Sequence, residues 1–319
     1  KTAAFGLGLL AKLDVKYFRV QALVLCPTRE LADQVAAELR KLARSIHNIK
    51  ILTLCGGVPI GPQIGSLEHG AHIIVGTPGR VLDHLQQQHL QLDESSMLVL
   101  DEADRMLDMG FIHDIKKILP RLPKNKQNIF FSATISPTIM ELAGTILFDP
   151  VNVRVTPVSS TAEIVEQFVY YVEKAEKRAF LKQLIKSENI SHAIVFTRTK
   201  HGADRVAREL TKSGHKAEAI HGDKSQNARE RALAGFKNRT VNFLVATDIA
   251  SRGIDIDQLE YVINFEIPEV AETYVHRIGR TGRAGSSGVA YTMCSSEEKG
   301  SLKAIQKLIN QQIPERKLN

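Results

Sequence analysis

Short, nearly continuous apolar runs alternate with longer stretches of helical periodicity along the whole chain. Before residue 156, the predicted strands are 23–26, 49–55, 72–76, 97–101, 128–133 and 151–155, and the predicted helices include 30–46, 80–87, 112–122 and 137–147. A further apolar helical stretch covers residues 3–10. Strands that are apolar throughout are typical of a parallel sheet with helices on both faces.

A polar segment that contains proline, residues 156–163, interrupts this alternation and has the composition of a linker. The alternation then resumes, with predicted strands 167–172, 192–197, 217–221, 242–247, 261–265 and 289–294 and predicted helices 177–187, 201–213, 226–236, 269–278 and 296–311. The pattern predicts an α/β fold in two domains, residues 1–155 and 164–319. Parallel sheets bind ligands at the carboxyl ends of their strands, so the loops after the strands are where functional residues are expected.

The composition fits a globular protein of this organisation. The chain has 319 residues, enough for two cores, and is 43% hydrophobic. No apolar run reaches the roughly 18 residues of a membrane helix. Three cysteines, Cys26, Cys55 and Cys294, lie far apart without metal-ligand spacing, which favours buried thiols in a reducing cytoplasm. The net charge of +7 suits a polyanionic partner but discriminates little.

The predicted strand at 97–101 ends in three carboxylates, Asp101, Glu102 and Asp104. One interpretation is a solvated acidic turn. The other is a Walker B site, in which Asp101 holds Mg²⁺ against nucleotide phosphates and Glu102 orients or deprotonates the attacking water. The acidic residues alone leave both interpretations open.

Two further segments favour the nucleotide-binding interpretation. Lys1 and Thr2 precede the first helical stretch and match the last two residues of a phosphate loop, and no second such loop follows. Residues 276–283 carry three arginines interrupted by glycines. They are either a basic helix end or, with Arg280 and Arg283 as arginine fingers, the groups that neutralise a γ-phosphate. The second interpretation predicts one ATP that lies between the two domains.

Together these residues resemble the DEAD-box ATP-dependent RNA helicases. The one-letter codes of residues 101–104 are DEAD, the motif that gives this family its name. The other motifs of that family are matched in order by residues 27–32, 56–57, 77–80, 132–134, 194–197, 226–229, 246–255 and 276–283. The resemblance covers essentially the whole chain and implies two tandem RecA-like domains, each a mostly parallel sheet flanked by helices. Within the bacterial members, the first half is similar to the DbpA type and the second half to the RhlE type.

The resemblance implies a role for each nucleotide-site residue. Lys1 and Thr2 would serve the phosphates and Mg²⁺, Asp101 would hold Mg²⁺, and Glu102 would position the hydrolytic water. Asp255 would contact the ribose, and Arg280 and Arg283 the γ-phosphate. The residues that would couple nucleotide state to domain closure are Asp104, Ser132, Thr134 and His276. For Ser132 and Thr134, ordinary strand-end capping is the alternative.

The same resemblance implies RNA contacts that follow the sugar-phosphate backbone. The residues concerned are Thr28, Arg29, Gly57, Thr77, Gly79, Arg80, Gly222, Gln226, Arg229, Thr247 and Gly253. Glycines, threonine hydroxyls and arginines suit phosphates better than base edges, so we expect little sequence preference and a strong dependence on salt. The implied activity is local RNA unwinding or remodelling by a monomeric cytoplasmic protein that uses ATP and Mg²⁺.

Residues 1–319 do not include the glycines of a phosphate loop or an adenine-recognising Q motif. We therefore expect this polypeptide by itself to be deficient in ATP hydrolysis, because backbone N–H groups of that loop cradle the phosphates. Two other classes of protein stay open: a binding or regulatory protein that keeps the fold without hydrolysis, and a DNA translocase of related architecture.

Overall fold

A computed structural model describes residues 1–135, 137–153, 165–248, 259–282 and 288–318 of the chain. These residues form two compact units, Lys1–Asn152 and Val153–Asn319. The predicted linker, 156–163, lies outside the described residues, so the predicted domain boundaries stay a prediction.

The first unit is built on a parallel sheet. In its described residues the strand order is β2-β3-β1-β4-β5, and every neighbouring pair is parallel. The strands are β1 (Ala22–Leu25), β2 (Ile51–Leu54), β3 (Ile73–Gly76), β4 (Met97–Leu100) and β5 (Gln127–Phe130). The helices are α1 (Thr2–Lys12), α2 (Arg29–Leu42), α3 (Gly61–Glu68), α4 (Pro78–Gln86), α5 (Ala103–Asp108), α6 (Ile112–Ile118) and α7 (Pro137–Ile146), with 3-10 turns at Ala43–Ser45 and Leu119–Arg121.

β1 lies at the centre of this sheet, where Ala22 pairs with both Ile73 and Met97. Successive residues of a strand point to opposite faces, and both faces are apolar here. Leu23 packs in a core with α4, α5, α6 and α7, while Val24 packs in a second core with α1 and α2. The burial of both faces explains why the strands are apolar throughout.

One predicted strand of the first unit is wrong in its described part. Residues 151–153 of the predicted strand 151–155 join no sheet, and Val151 and Val153 are 90% and 79% exposed. Their apolar, β-branched side chains gave the strand signal, but they pack against no partner strand. The sequence pattern also did not reveal α3 and α5, which are short; α3 contains two glycines and a proline and has no buried residue.

The second unit repeats the architecture. Its described residues form a parallel sheet with the order β6-β11-β10-β7-β9-β8. The strands are β6 (Val165–Tyr171), β7 (Ala193–Thr197), β8 (Ala217–Ile220), β9 (Phe243–Thr247), β10 (Tyr261–Asn264) and β11 (Gly288–Cys294). The helices are α8 (Lys177–Ser187), α9 (Lys200–Lys212), α10 (Gln226–Lys237), α11 (Ala271–Ile278) and α12 (Lys299–Ile309), with a 3-10 turn at Ser296–Glu298.

This second sheet is also covered on both faces. Residues of α10, α11 and α12 pack in one core, which includes Phe236, Tyr274 and Ile305. Residues of α8 and α9 pack in the other core, which includes Leu184 and Val206. The α/β fold with two parallel, helix-flanked sheets is therefore confirmed. None of the helices in the described ranges combines the length and apolarity of a membrane crossing.

Candidate functional site

The acidic residues that follow β4 lie at the carboxyl edge of the first sheet. Asp101 is 3% exposed, and its Oδ1 accepts a hydrogen bond from the N–H of Glu102 at 3.0 Å. Glu102 has a left-handed backbone conformation (φ 52°), and α5 begins at the next residue. Nη1 of Arg105 lies 3.1 Å from Oε2 of Glu102 and holds that side chain in place. The turn therefore places two carboxylates side by side at the strand end.

The electrostatics of Asp101 suit a cation. Burial, and secondly the charge of Glu102, raise its pKa to about 6, while Lys1 and the N–H of Glu102 act in the opposite direction. A divalent cation would offset the same unfavourable terms. In the described part of the chain no three His, Cys, Asp or Glu residues form a closed metal cage. Mg²⁺ rarely needs one, because it binds through one or two carboxylates, water and substrate phosphates. The donor set at Asp101 therefore fits Mg²⁺.

Asp104 joins the acidic turn to the loop that follows β5. Its Oδ2 accepts hydrogen bonds from the N–H of Ala133 at 3.2 Å, from the N–H of Thr134 at 3.2 Å and from Oγ1 of Thr134 at 3.1 Å. Oγ of Ser132 instead donates to the carbonyl oxygen of Thr134 at 2.6 Å. The predicted residues 104, 132 and 134 are thus brought together. Ser132 takes part through a hydrogen bond within its own turn.

Lys1 and Thr2 stand at the start of α1, where Lys1 occupies the N-cap position and its charge acts on Asp101. α1 is anchored through Phe5, which is 2% exposed and lies 5.6 Å from the ring of Phe131. Phe131 directly follows β5, so α1, the acidic turn after β4 and the loop after β5 belong to one edge of the sheet. The structure therefore places the predicted phosphate residues near the predicted Mg²⁺ residue.

The predicted RNA residues of the first unit follow β1, β2 and β3. Thr28 caps α2 by accepting from the N–H of Leu31, and Arg29 pairs with Asp33 at 3.4 Å. Gly57 has φ +79°, which favours glycine, and a Cβ there would meet no atom within 4 Å. Residues Thr77, Gly79 and Arg80 form the N-cap and first turn of α4. These groups therefore share the carboxyl edge with Asp101.

In the second unit, the described candidates also follow strands or begin helices. Gly222 follows β8, Gln226 and Arg229 lie in the first turns of α10 behind the N-cap Ser225, and Thr247 ends β9. His276 lies in the last turn of α11, and Arg280 follows that helix. Gly253, Asp255 and Arg283 lie outside the described residues.

Sequence reasoning did not single out Arg277, although its guanidinium makes several hydrogen bonds in this region. Its guanidinium is 2% exposed, makes two bonds to Asp248 at 2.6 and 2.8 Å, and donates to the carbonyl oxygen of Glu266 at 2.6 Å. It also lies 5.0 Å from the ring centre of Phe196. Arg277 therefore fastens α11 to the ends of β7, β9 and β10. Position 277 lies one helical turn from Thr273 on the buried face of α11, and this spacing indicates burial but does not identify the partners of the guanidinium.

Each sheet with its edge loops is a RecA-like domain, a nucleotide-binding fold. Comparison with known proteins agrees. The DEAD/DEAH box helicase model matches residues 1–142, and the helicase conserved C-terminal domain model matches residues 176–285. The chain is 30% identical to the Saccharomyces cerevisiae Dbp5 structure bound to RNA and ADP BeF3, with a TM-score of 0.89 over 99% of this chain and 82% of that one. It is 40% identical to a DEAD box protein from Methanococcus jannaschii, with a TM-score of 0.55 over 99% of this chain and 85% of that one.

Curated relatives include two bacterial proteins. The chain is 49% identical to the ATP-dependent RNA helicase DbpA of Escherichia coli over 93% of its length, and 45% identical to the ATP-dependent RNA helicase CshA of Listeria monocytogenes over 96%. It spans 65% and 59% of those two proteins. The chain belongs to the DEAD-box helicase family, as its motifs predicted.

Proposed function

We propose that the protein is an ATP-dependent RNA helicase, which couples ATP binding and hydrolysis to local unwinding or remodelling of RNA. The observation that carries this proposal is the acidic turn after β4, where Asp101 and Glu102 lie at the carboxyl edge and Asp104 bonds Thr134 of the next loop. The names of the relatives support it, since DbpA and CshA are called ATP-dependent RNA helicases and the Dbp5 structure holds RNA and ADP BeF3.

In this proposal, Lys1 and Thr2 serve the nucleotide phosphates, and Asp101 holds Mg²⁺ together with Thr2. When bound, Mg²⁺ neutralises negative charge on the phosphates. Glu102 orients the attacking water and accepts its proton, for which its carboxylate is held in place by Arg105. Arg280, with Arg283, neutralises charge on the γ-phosphate, and Asp255 contacts the ribose.

In this proposal, Asp104 couples the nucleotide state to domain closure. Its three hydrogen bonds reach the loop of Ser132 and Thr134, so a shift of the acidic turn on nucleotide binding moves that loop with it. His276 has the corresponding role at the end of α11. Arg277 holds that helix against three strand ends, so His276 and Arg280 are presented on a rigid support.

RNA is bound through its backbone. The proposed contacts are the first-unit residues Thr28, Arg29, Gly57, Thr77, Gly79 and Arg80 and the second-unit residues Gly222, Gln226, Arg229, Thr247 and Gly253. Such groups bind phosphate and sugar and do not recognise the edges of the bases. The bound form holds a single strand whose geometry a duplex cannot adopt, and hydrolysis releases it. We propose that the protein acts as a monomer in the cytoplasm.

Phosphate release measured with ATP and either RNA, DNA or no nucleic acid tests the function. RNA-stimulated hydrolysis is expected of the chain preceded by a complete phosphate loop, with little stimulation by DNA. Equal stimulation by DNA would favour the translocase, and nucleotide binding without hydrolysis would favour the regulatory protein. The expectation that residues 1–319 by themselves hydrolyse ATP poorly is tested by assaying that polypeptide beside one preceded by a complete phosphate loop. Equal turnover of the two would contradict it.

A further inference from the structure

One side-chain amide joins three elements of the first unit. Gln63, in α3, donates from Nε2 to the carbonyl oxygen of Cys55 at 3.0 Å. Its Oε1 accepts from Nη1 of Arg80 at 3.1 Å and lies 2.9 Å from Nε2 of His84. Cys55 directly follows β2, whereas Arg80 and His84 belong to α4. Gln63 therefore connects the end of β2 to both neighbouring helices.

The chemistry of its partners fixes the orientation of this amide. A carbonyl oxygen only accepts hydrogen bonds, and a guanidinium only donates them. Nε2 of Gln63 must therefore face Cys55, and Oε1 must face Arg80. Because Oε1 is an acceptor, His84 must donate to it, so its ring carries a proton on Nε2. Since His84 has no exposed surface, this donor has no water to bond in place of Gln63.

The same network of hydrogen bonds also stabilises the turn that contains Gly56 and Gly57. Nη2 of Arg80 donates to the carbonyl oxygen of Val58 at 3.0 Å, so the turn is fastened at Cys55 by Gln63 and at Val58 by Arg80. Within the described ranges, the N–H groups of Gly56 and Gly57 donate to no protein acceptor. Adjacent backbone N–H groups in such a turn form an anion-binding concavity. The carbonyl groups of Cys55 and Val58 are thus bonded to side chains of the protein, while the N–H groups of Gly56 and Gly57 can donate to an incoming phosphate.

We infer that Gln63 is a positioning residue for nucleic-acid binding: it holds Arg80 and the turn of Gly56 and Gly57 in the arrangement that receives an RNA phosphate. This inference rests on the proposed RNA-binding function. Gln63 itself touches no RNA. It acts by reducing the conformational freedom that the turn and Arg80 would otherwise lose on binding.

The variant Gln63→Met tests the inference, since it keeps the length of the side chain and removes all three hydrogen bonds. Affinity of the protein for a fluorescent single-stranded oligoribonucleotide is expected to fall roughly ten-fold, as for loss of a hydrogen bond to a charged group. Affinity for a fluorescent ADP analogue, measured with and without the substitution in chains preceded by a complete phosphate loop, should stay unchanged. The control Gln91→Met makes the same chemical change at an exposed position before β4 and should not alter RNA affinity.

The outcomes separate this inference from the proposed function. If the unaltered protein binds no RNA, the proposed function fails. If the unaltered protein binds RNA and Gln63→Met binds within two-fold of it, the inference fails. An equal loss of RNA and ADP-analogue affinity would assign Gln63 to general stability and also overturn it. Should Gln63→Met not fold, nitrogen NMR shifts of His84 in the unaltered protein decide: a proton on Nε2 alone is expected, and a proton on Nδ1 alone would contradict the network.

Discussion

Glu102 combines a strained backbone with a fixed side chain. A non-glycine residue at φ 52° costs about 1 kcal/mol, so the surrounding structure must maintain it. The bonds to Asp101 and Arg105 do so from both sides. The conformation lets the chain turn directly from β4 into α5, with the two carboxylates adjacent. Strain of this kind is common where a side chain has to be aimed at a ligand.

In a chain preceded by a complete phosphate loop, we expect Glu102→Gln to abolish RNA-stimulated ATP hydrolysis while nucleotide binding persists, because an amide cannot accept a proton from water. Steady-state phosphate release and the affinity for a fluorescent ATP analogue measure the two properties. Turnover within a few-fold of the unaltered protein would exclude Glu102 as the base.

His84 gives stability a dependence on pH. Burial, then the charge of Arg80, lower the pKa of His84 to about 4 from an ordinary value of 6.5. Between these two values the unfolded chain binds a proton that the folded protein does not. The contribution of neutral His84 to the free energy of unfolding is therefore complete above pH 6.5. It falls by up to about 3 kcal/mol as the pH drops to 4.

The variant His84→Gln isolates this contribution, because glutamine can donate one hydrogen bond to Gln63 but does not titrate in this range. Urea unfolding between pH 4 and 7.5 should show a shallower loss of stability for the variant than for the unaltered protein. Parallel curves for the two proteins would show that His84 is protonated equally in both states.

At the scale of elements, a buried ion pair joins the start of α8 to the ends of β10 and β11. Lys177 is 2% exposed, and its Nζ donates to the carbonyl oxygens of Phe265 and Met293 at 2.9 Å each and to Oε2 of Glu298 at 2.5 Å. Glu298 also accepts from the N–H of Ile267 at 3.1 Å. All three donors of the ammonium group are thus matched, which is what makes such burial tolerable.

Lys177→Met should destabilise the second unit by about 3–5 kcal/mol, since it removes the closer cation of a buried carboxylate and leaves only Arg198, whose Nη2 lies 3.9 Å from Oε1 of Glu298. Lys174→Met is the control. Lys174 pairs with Glu297 at 3.6 Å, but both side chains are about two-thirds exposed, so the loss should be under about 1 kcal/mol. Thermal unfolding compares the two variants. Similar small losses would mean that the site around Glu298 admits water.

Most elements with a buried face could be predicted from the sequence, whereas the short α5 and the contacts between elements could not. Every strand of the two sheets was predicted to within two residues at each end except β5, whose predicted end extended into the Ser132 loop. α3 was missed because it has no fully buried residue, although Leu67 packs partly buried against the core. Gln63 and Arg277 were missed for another reason: each acts through partners that lie far away in the sequence, and the pattern of hydrophobic positions carries no information about side-chain hydrogen bonds.

At the scale of the whole molecule, the proposed RNA contacts are spread over many loops, and three of them are arginines: Arg29, Arg80 and Arg229. Each cation that meets a phosphate releases a counterion, so log affinity for single-stranded RNA should fall with log salt with a slope of about −0.7 per contact. Three arginines therefore predict a slope near −2. Sequence preference should be slight, because phosphates are the same at every position.

Arg229→Gln should reduce the salt slope by about 0.7. Arg231→Gln removes the same charge from an exposed position of α10 that points away from Arg229, and it should leave the slope nearly unchanged. Fluorescence anisotropy between 50 and 300 mM potassium chloride, about the range where such slopes are measured, gives both values. Equal changes in the two variants would show that only net charge matters.

The central place of β1 has a consequence for synthesis on the ribosome. Ala22 pairs with Met97, about 75 residues further along the chain. At about 5–20 residues per second, β1 therefore waits roughly 4–15 s for its second neighbour to be made. During that interval its four apolar residues have no complete sheet to pack into, and they are accessible to chaperones that bind unfolded chains. Ribosome-bound chains that end before Met97 should be cut by protease near β1, whereas chains extended well beyond β5 should resist.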